Sequence, residues 1–128
     1  MMQRSGSRTA RKARVDAYRS GHRGEALAAW FLQFKLYRIL ATRYKTPVGE
    51  IDLIAERFGT IAFIEVKARR SASGQSEALA AVNQERIARA AQYWLAKHPQ
   101  HSRRNLRFDV VFVAPRNWPR HWVNAFSV

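Results

Sequence analysis

Acidic side chains are scarce in this chain, nine against 23 Lys and Arg. Three of them, Glu50, Asp52 and Glu65, nevertheless fall close together, and Lys67 follows Glu65 by two positions. Two carboxylates brought together supply the oxygen ligands that a hard divalent cation such as Mg²⁺ prefers, with positions left for water and a phosphate oxygen. Such a cation polarises a scissile phosphate and lowers the pKa of a bound water. A lysine beside it can orient that water or stabilise charge developing on the phosphate. Phosphodiester hydrolysis needs this set of parts. A Glu-x-Lys pair is also common on ordinary strands as a solvated ion pair worth under ~1 kcal/mol, so spacing alone leaves both readings open.

The elements that must position these residues follow from the pattern around them. Runs at about 50–55 and 60–68 read as the two strands of a hairpin with Gly59 in its turn. Side chains alternate faces along a strand, so Glu65 and Lys67 point one way while Ile64 and Val66 point into the opposite layer. Asp52, between Ile51 and Leu53, is expected to face away from the apolar side of its own strand. If the strands pair across Gly59, Asp52 and Glu65 approach each other on one face.

Upstream, a helix is expected over about 23–36, with Leu27, Phe31 and Phe34 as its apolar stripe and Trp30 beside it. A short strand near 38–44 follows, then a turn at Pro47 and Gly49. Downstream, a Ser- and Gly-rich loop at 71–76 leads to a second helix over about 77–97, striped by Ile87, Ala91 and Leu95 and stopped by Pro99. Residues 108–113 read as a strand buried on both faces. Trp118, Trp122 and Phe126 belong to a last strand or flap. The order is that of an α/β fold with helices against a mixed sheet.

The whole chain sets the bounds. Its 128 residues suit one domain, expected over 21–128. Residues 1–20 carry Arg4, Arg8, Arg11, Lys12, Arg14 and Arg19 against Asp16 alone, and read as a flexible basic arm. The absence of cysteine excludes disulfides, thiol nucleophiles and cysteine-based zinc sites. None of the four histidines pairs at an i,i+4 metal-ligand spacing, and they read as incidental. No run approaches the roughly 20 apolar residues that span a bilayer, and the N-terminus lacks the apolar run of a secretory signal. A cytoplasmic protein without membrane partners is the expectation.

A net charge of +14 favours polyanions, nucleic acid above all. Arg43, Lys45, Arg69 and Arg70 lie near the acidic hairpin and could track a DNA backbone, positioning it without reading sequence. Trp94, Trp118 and Trp122 could stack on unpaired bases, with core packing the favoured reading. Asp109, inside an apolar strand, must be paired, with Arg107 or a helix end, and reads as structural.

Taken together, Gly49 to Ile54 (GEIDLI) and Phe63 to Lys67 (FIEVK), with Gly24-Glu25, Glu77-Ala78, Gln84, Arg107 to Val111 and Asn124 to Phe126, resemble the YraN family. These small bacterial proteins are similar to archaeal Holliday-junction resolvases and restriction-type nucleases, and the resemblance spans about 21–126. It implies a PD-(D/E)xK, restriction-endonuclease-like α/β fold, a central mixed β-sheet flanked by α-helices. It also implies that Asp52 and Glu65 are metal ligands for Mg²⁺ or Mn²⁺ and that Lys67 is the catalytic lysine. Glu25 becomes the helix-borne acid of the metal shell, and Gln84 the catalytic-site glutamine of the second helix. Gln84 also shares the stripe of Ile87 and Ala91, so it is expected to face the sheet. The family commonly has lysine before that glutamine, where this chain has Asn83.

The implied function is a Mg²⁺-dependent endonuclease for branched or structured DNA, working as a homodimer because two strands must be cut. The alternatives are a non-catalytic nucleic-acid-binding accessory protein that keeps the nuclease fold, and a scaffold protein that uses the basic arm.

Overall fold

In the computed structural model, residues 24–68 and 82–127 are described. The expected basic arm (1–20), Arg69, Arg70 and the expected helix start at 77–81 lie outside them. Helix α1 covers residues 24–34. Strands β1 (Arg38–Thr46), β2 (Gly49–Arg57) and β3 (Thr60–Ala68) follow, then helix α2 (Gln84–Lys97), a 3₁₀ turn (Pro99–His101), β4 (Asn105–Val113) and β5 (Arg120–Phe126).

The strands form one sheet in the order β1-β2-β3-β4-β5. Neighbours are antiparallel except β3 and β4, which run parallel. A parallel pair needs a crossover, and α2 lies within it. The expected α/β fold with a mixed sheet flanked by helices is therefore present, in an arrangement consistent with restriction-endonuclease-like proteins. Among the described residues, no helix is long and apolar enough to cross a membrane.

Each sheet face has its own core. On one, Ile51, Ile54, Phe63, Val110 and Phe112 pack against Ile87, Ala90, Ala91 and Trp94 of α2. On the other, Leu53, Ala55, Ala62, Ile64, Val111 and Val113 pack against Ala28 and Leu32 of α1. Phe58 and Gly59, both at positive φ, close the β2–β3 hairpin, as a tight two-residue turn between right-twisted strands requires.

Helix α1 corrects the expected stripe. Its sheet-facing residues are Gly24, Ala28 and Leu32, whereas Leu27, Trp30 and Phe34 are exposed. The reason is distance: a Cβ added to Gly24 would sit 3.2 Å from Val113 Cγ2. No larger side chain fits at Gly24 without a shift of Val113, so the face that carries Gly24, Ala28 and Leu32 meets the sheet and the larger rings are turned outward. The tryptophans divide accordingly. Trp94 is buried and meets Phe63 edge-on, Trp122 packs edge-on against Phe112, and Trp118 is open to solvent. His98 and His101 stack on Trp94.

Candidate active site

The acidic residues lie where the sheet forks. Pairing between β2 and β3 runs from Arg57↔Thr60 to Leu53↔Ile64 and ends there. The next pair in that register would be Asp52 opposite Glu65. Instead, the backbone N–H of Val66 donates to the Asp52 carboxylate at 2.8 Å. A side chain takes the place of the ladder, and the strands part beyond it.

The opposite flank is irregular too. Arg43, which the β1–β2 register sets opposite Asp52, has φ of 50°, a conformation that costs a non-glycine residue free energy and recurs at functional sites. Ile51 and Leu53 consequently fall in opposite core layers. Regular alternation, assumed for this strand above, breaks at Asp52. Glu65 and Lys67 keep the expected alternation, with Val66 packed on the α1-side core.

The carboxyl groups crowd one another. Burial, and then the neighbouring Asp52 charge, push the Glu65 pKa up to about 7, with Lys67 opposing the rise. Lys67 Nζ lies 3.5 Å from Glu65 Oε1. Asp52 is also raised, chiefly by burial, although the Val66 N–H and a hydrogen bond from the Glu65 carboxyl favour its charged form. Glu25, at the start of α1, is raised by burial and by Asp52 and Glu50. Arg43 holds it at 3.3 Å.

A pocket of about 230 Å³ opens at the fork, lined by Glu50, Glu65, Lys67, Asn83, Arg86 and Ile87. Acid from the hairpin thus faces cation and helix N-terminus from α2. The close seating of α2 depends on Gly49, where an added Cβ would meet the Arg86 carbonyl oxygen at 2.5 Å.

Of the residues singled out in sequence, the fold brings Glu25, Arg43, Asp52, Glu65 and Lys67 together. Lys45 is exposed on β1, opposite Glu50 in the register. Gln84 does not face the sheet: it is the first residue of α2 and exposed. Helix α2 as described begins at Gln84, so the i,i+4 row that buries Ile87 and Ala91 does not extend back to it. Asn83 lines the pocket instead, and its side chain caps the helix by accepting from Arg86 N at 3.2 Å. Asn83 thus serves as the N-cap of α2.

Glu50, Asn83 and Arg86 were not assigned to the site from sequence. An Asn three residues before an arginine at a helix start is a capping signal, and it was available there.

The donor set fits a divalent cation in its chemistry. Two half-buried carboxyls whose charged forms are disfavoured by desolvation, one of them raised to about 7, gain from a hard cation beside them. Asp52 and Glu65 supply these oxygens. Among the described residues, no three His, Asp or Glu side chains are gathered into a ready metal cluster, and Glu25 is engaged with Arg43.

Residues 24–113 match the family model described as "Uncharacterised protein family UPF0102". The chain belongs to this family. The YraN resemblance read from the hairpin motifs is thereby confirmed. A UPF0102 protein of Chelativorans sp. (strain BNC1) is 52% identical over 118 residues, 92% of this chain and 95% of its own length. One from Bradyrhizobium sp. (strain ORS 278) is 52% identical over 94% of this chain and 86% of its own. One from Mesorhizobium japonicum is 51% identical over 89% and 91%. The family match contains the whole fork, from Glu25 to Lys67, together with Asn83 and Arg86.

Proposed function

We propose that this protein is a divalent-metal-dependent endonuclease that hydrolyses phosphodiester bonds in branched or structured DNA. The observation that carries the reading is the half-buried Asp52–Glu65 pair, both raised by desolvation, with Glu65 and its neighbour Lys67 lining an open pocket. A protein of net charge +14 has little reason to crowd acid where phosphates would gather unless the acid does chemistry.

Asp52 and Glu65 would hold Mg²⁺ or Mn²⁺, and Glu25 would support that shell from α1 under the control of Arg43. The bound cation supplies Lewis acidity toward a phosphate oxygen and a more acidic water. The chain's own residues do the rest. Lys67, held by Glu65, offers its ammonium to the attacking water or to the phosphate. Arg86 and the N-terminus of α2 give the phosphate a positive wall. Arg43 fixes the acids, Gln84 at the rim contacts the nucleic acid, and Lys45, Arg69 and Arg70 steer its backbone. Cutting two strands calls for two such sites, hence a homodimer, and the substrate places the protein in the cytoplasm.

One observation favours a second reading, a nucleic-acid-binding accessory protein without catalysis: among the described residues no cluster of three metal-ligating side chains is assembled. Cleavage of labelled four-way junction, flap, single-stranded and duplex DNA with Mg²⁺ or Mn²⁺ decides between them, run beside Asp52→Ala and Glu65→Ala. Metal-dependent cuts that fall at least a hundredfold in both variants establish the nuclease. Cuts that persist in the variants remove this site from consideration. No cutting, with binding unchanged in both variants, establishes the accessory protein.

A further inference from the structure

Three aromatic rings stand in a column on the outer face of α1. Trp30 stacks on Phe34, with centroids 6.1 Å apart and planes 22° apart, and on Trp118, at 6.2 Å and 12°. Trp30 is 50% exposed, Phe34 72% and Trp118 70%. Apolar surface of this size left in water calls for an occupant.

The place of the column in the fold is informative. Trp118 lies in the 114–119 loop that leaves the end of β4. Strands β3 and β4 are parallel, with Lys67↔Phe112 and Ala68↔Val113 in register, so this loop and Lys67 leave the sheet at the same end. Helix α1 begins there as well, since Gly24 packs on Val113 and Ala68. Trp30 is six residues further on, about 9 Å along the helix axis. Arg116 and Arg120 flank Trp118, and both are exposed.

We propose that Trp30, Phe34 and Trp118 form a stacking platform for unpaired bases of a single-stranded nucleic-acid segment. Every base has a flat π-face, and near-parallel exposed rings beside arginines are how proteins hold single strands without reading their sequence. A second copy of the chain is the poorer occupant. Rings of roughly 150–250 Å² each, half to three-quarters open, offer about 400 Å², against about 800 Å² per partner in a stable interface. A two-fold contact would also bring Arg116 and Arg120 close to their own copies, in a molecule of charge +14. Nucleic acid brings the complementary charge.

The inference deepens the proposed function by naming the substrate feature held, unpaired bases on the α1 side of the molecule, whose helix starts at the sheet end where Lys67 also lies. It rests on that reading for its purpose, but the contact itself needs neither metal nor carboxylate.

The test is binding by the full-length protein, in EDTA at about 150 mM salt, of a labelled single strand of about 15 nucleotides and a duplex of equal length. Trp118→Ala and Trp30→Ala are expected to weaken single-strand binding about tenfold each, while duplex binding shifts by less than about twofold. Trp118→Phe, which keeps a ring, is expected to restore most of the loss. Both alanine sites are exposed, and an unchanged Tm verifies the fold. Equal losses on single strand and duplex, or no loss on either, would overturn the platform. So would concentration-dependent dimerisation in sedimentation that Trp118→Ala abolishes, which would assign the rings to a second copy. A protein that stacks single strands yet cuts nothing keeps this inference and loses the nuclease reading, and one that cuts with metal but lacks the single-strand preference does the reverse.

Discussion

Two aspartates in this molecule sit at breaks in the sheet, and each accepts a backbone N–H from a neighbouring strand in place of a ladder bond. Asp52 takes Val66 N at 2.8 Å, opposite Arg43 with φ of 50°. Asp109 takes Asn124 N at 2.8 Å, beside a register shift between β4 and β5, and Asn124 has φ of 54°. Their surroundings then diverge. Around Asp109, Arg107 donates through Nε and Nη2, each at 2.8 Å, and His121 Nε2 lies at 2.7 Å. Arg107 also donates to the Tyr37 hydroxyl, and Lys35 Nζ donates to His121 Nδ1. Burial alone would raise the Asp109 pKa, but His121, Arg107 and the Asn124 N–H more than offset it and hold the group below its ordinary value. Asp52 and Glu65, with Lys67 as their nearby cation, are both raised. A carboxylate whose hydrogen bonds are complete is a strut. One left short of positive charge has capacity to bind something else.

The largest effect should come from removing the strut. Asp109 is fully buried, and Asp109→Ala leaves the Arg107 guanidinium beside an uncompensated cavity. A loss of about 3–5 kcal/mol is expected from chemical denaturation, the usual result of breaking a buried ion pair by removing one partner. A loss under ~1 kcal/mol would break the comparison, because Asp109 would then be no better served than an exposed charge.

The contrast between the two aspartates was only partly legible in the sequence. An acid in the apolar run Phe108–Val113 had to be paired, and Arg107 two residues away on the same face was a readable partner. His121 was not readable, because it arrives from β5 and nothing in its spacing announces a bond to β4. The hairpin, its Gly59 turn and the shared face of Glu65 and Lys67 followed from period-two alternation, whereas Asp52 reaches them at the position where that alternation breaks. The fork did not, because it requires a side chain to replace a backbone partner, which alternation cannot express. The α1 stripe failed for a different reason. Hydrophobicity pointed to Leu27, Phe31 and Phe34, but close approach at Gly24 fixes which face meets the sheet, and Ala28 and Leu32 follow Gly24 at i,i+4 spacing. The same selection left Trp30 and Phe34 outside, where the ring column forms. Helix α2 was legible where its buried row was apolar and misread at Gln84, one turn before that row begins.

At the fork the expected sign reverses. Glu65→Gln keeps a group able to donate to Asp52, as the protonated carboxyl does, and removes a charge that burial disfavours. It is expected to stabilise the metal-free protein by about 1–2 kcal/mol at pH 8 while abolishing cleavage. The pH dependence follows the same logic. Glu65 rises from 4.5 unfolded to about 7 folded, so the stability linked to its proton is complete below pH 4.5 and lost as pH rises through 7. In EDTA, the wild-type Tm should therefore climb between pH 8 and pH 5.5, and the climb should flatten in Glu65→Gln. Asp109 works oppositely: its contribution is present above the ordinary carboxylate range and lost below about pH 4. A Glu65→Gln protein less stable than wild type at pH 8 would mean that the fork, too, is a strut.

The smallest effect sharpens the comparison most. If the excess of negative charge at the fork is capacity for a cation, Mg²⁺ must bind the folded protein better than the unfolded chain. At a concentration about five times its Kd, it would then add about 1 kcal/mol of stability, a Tm rise of roughly 3–5 °C. That rise should vanish in Asp52→Ala, because the pair is reduced to one carboxylate. It should survive any exposed acidic change such as Glu85→Gln, whose carboxylate only meets Arg89 across one helical turn. It should also grow with pH from 5.5 to 8, since the cation competes with the proton that Glu65, raised to about 7, holds in the lower part of that range. An equal Mg²⁺ response in wild type and Asp52→Ala would place the ion elsewhere on the surface. The raised carboxyls would then stand as a cost of the fork's geometry with no ligand to answer it.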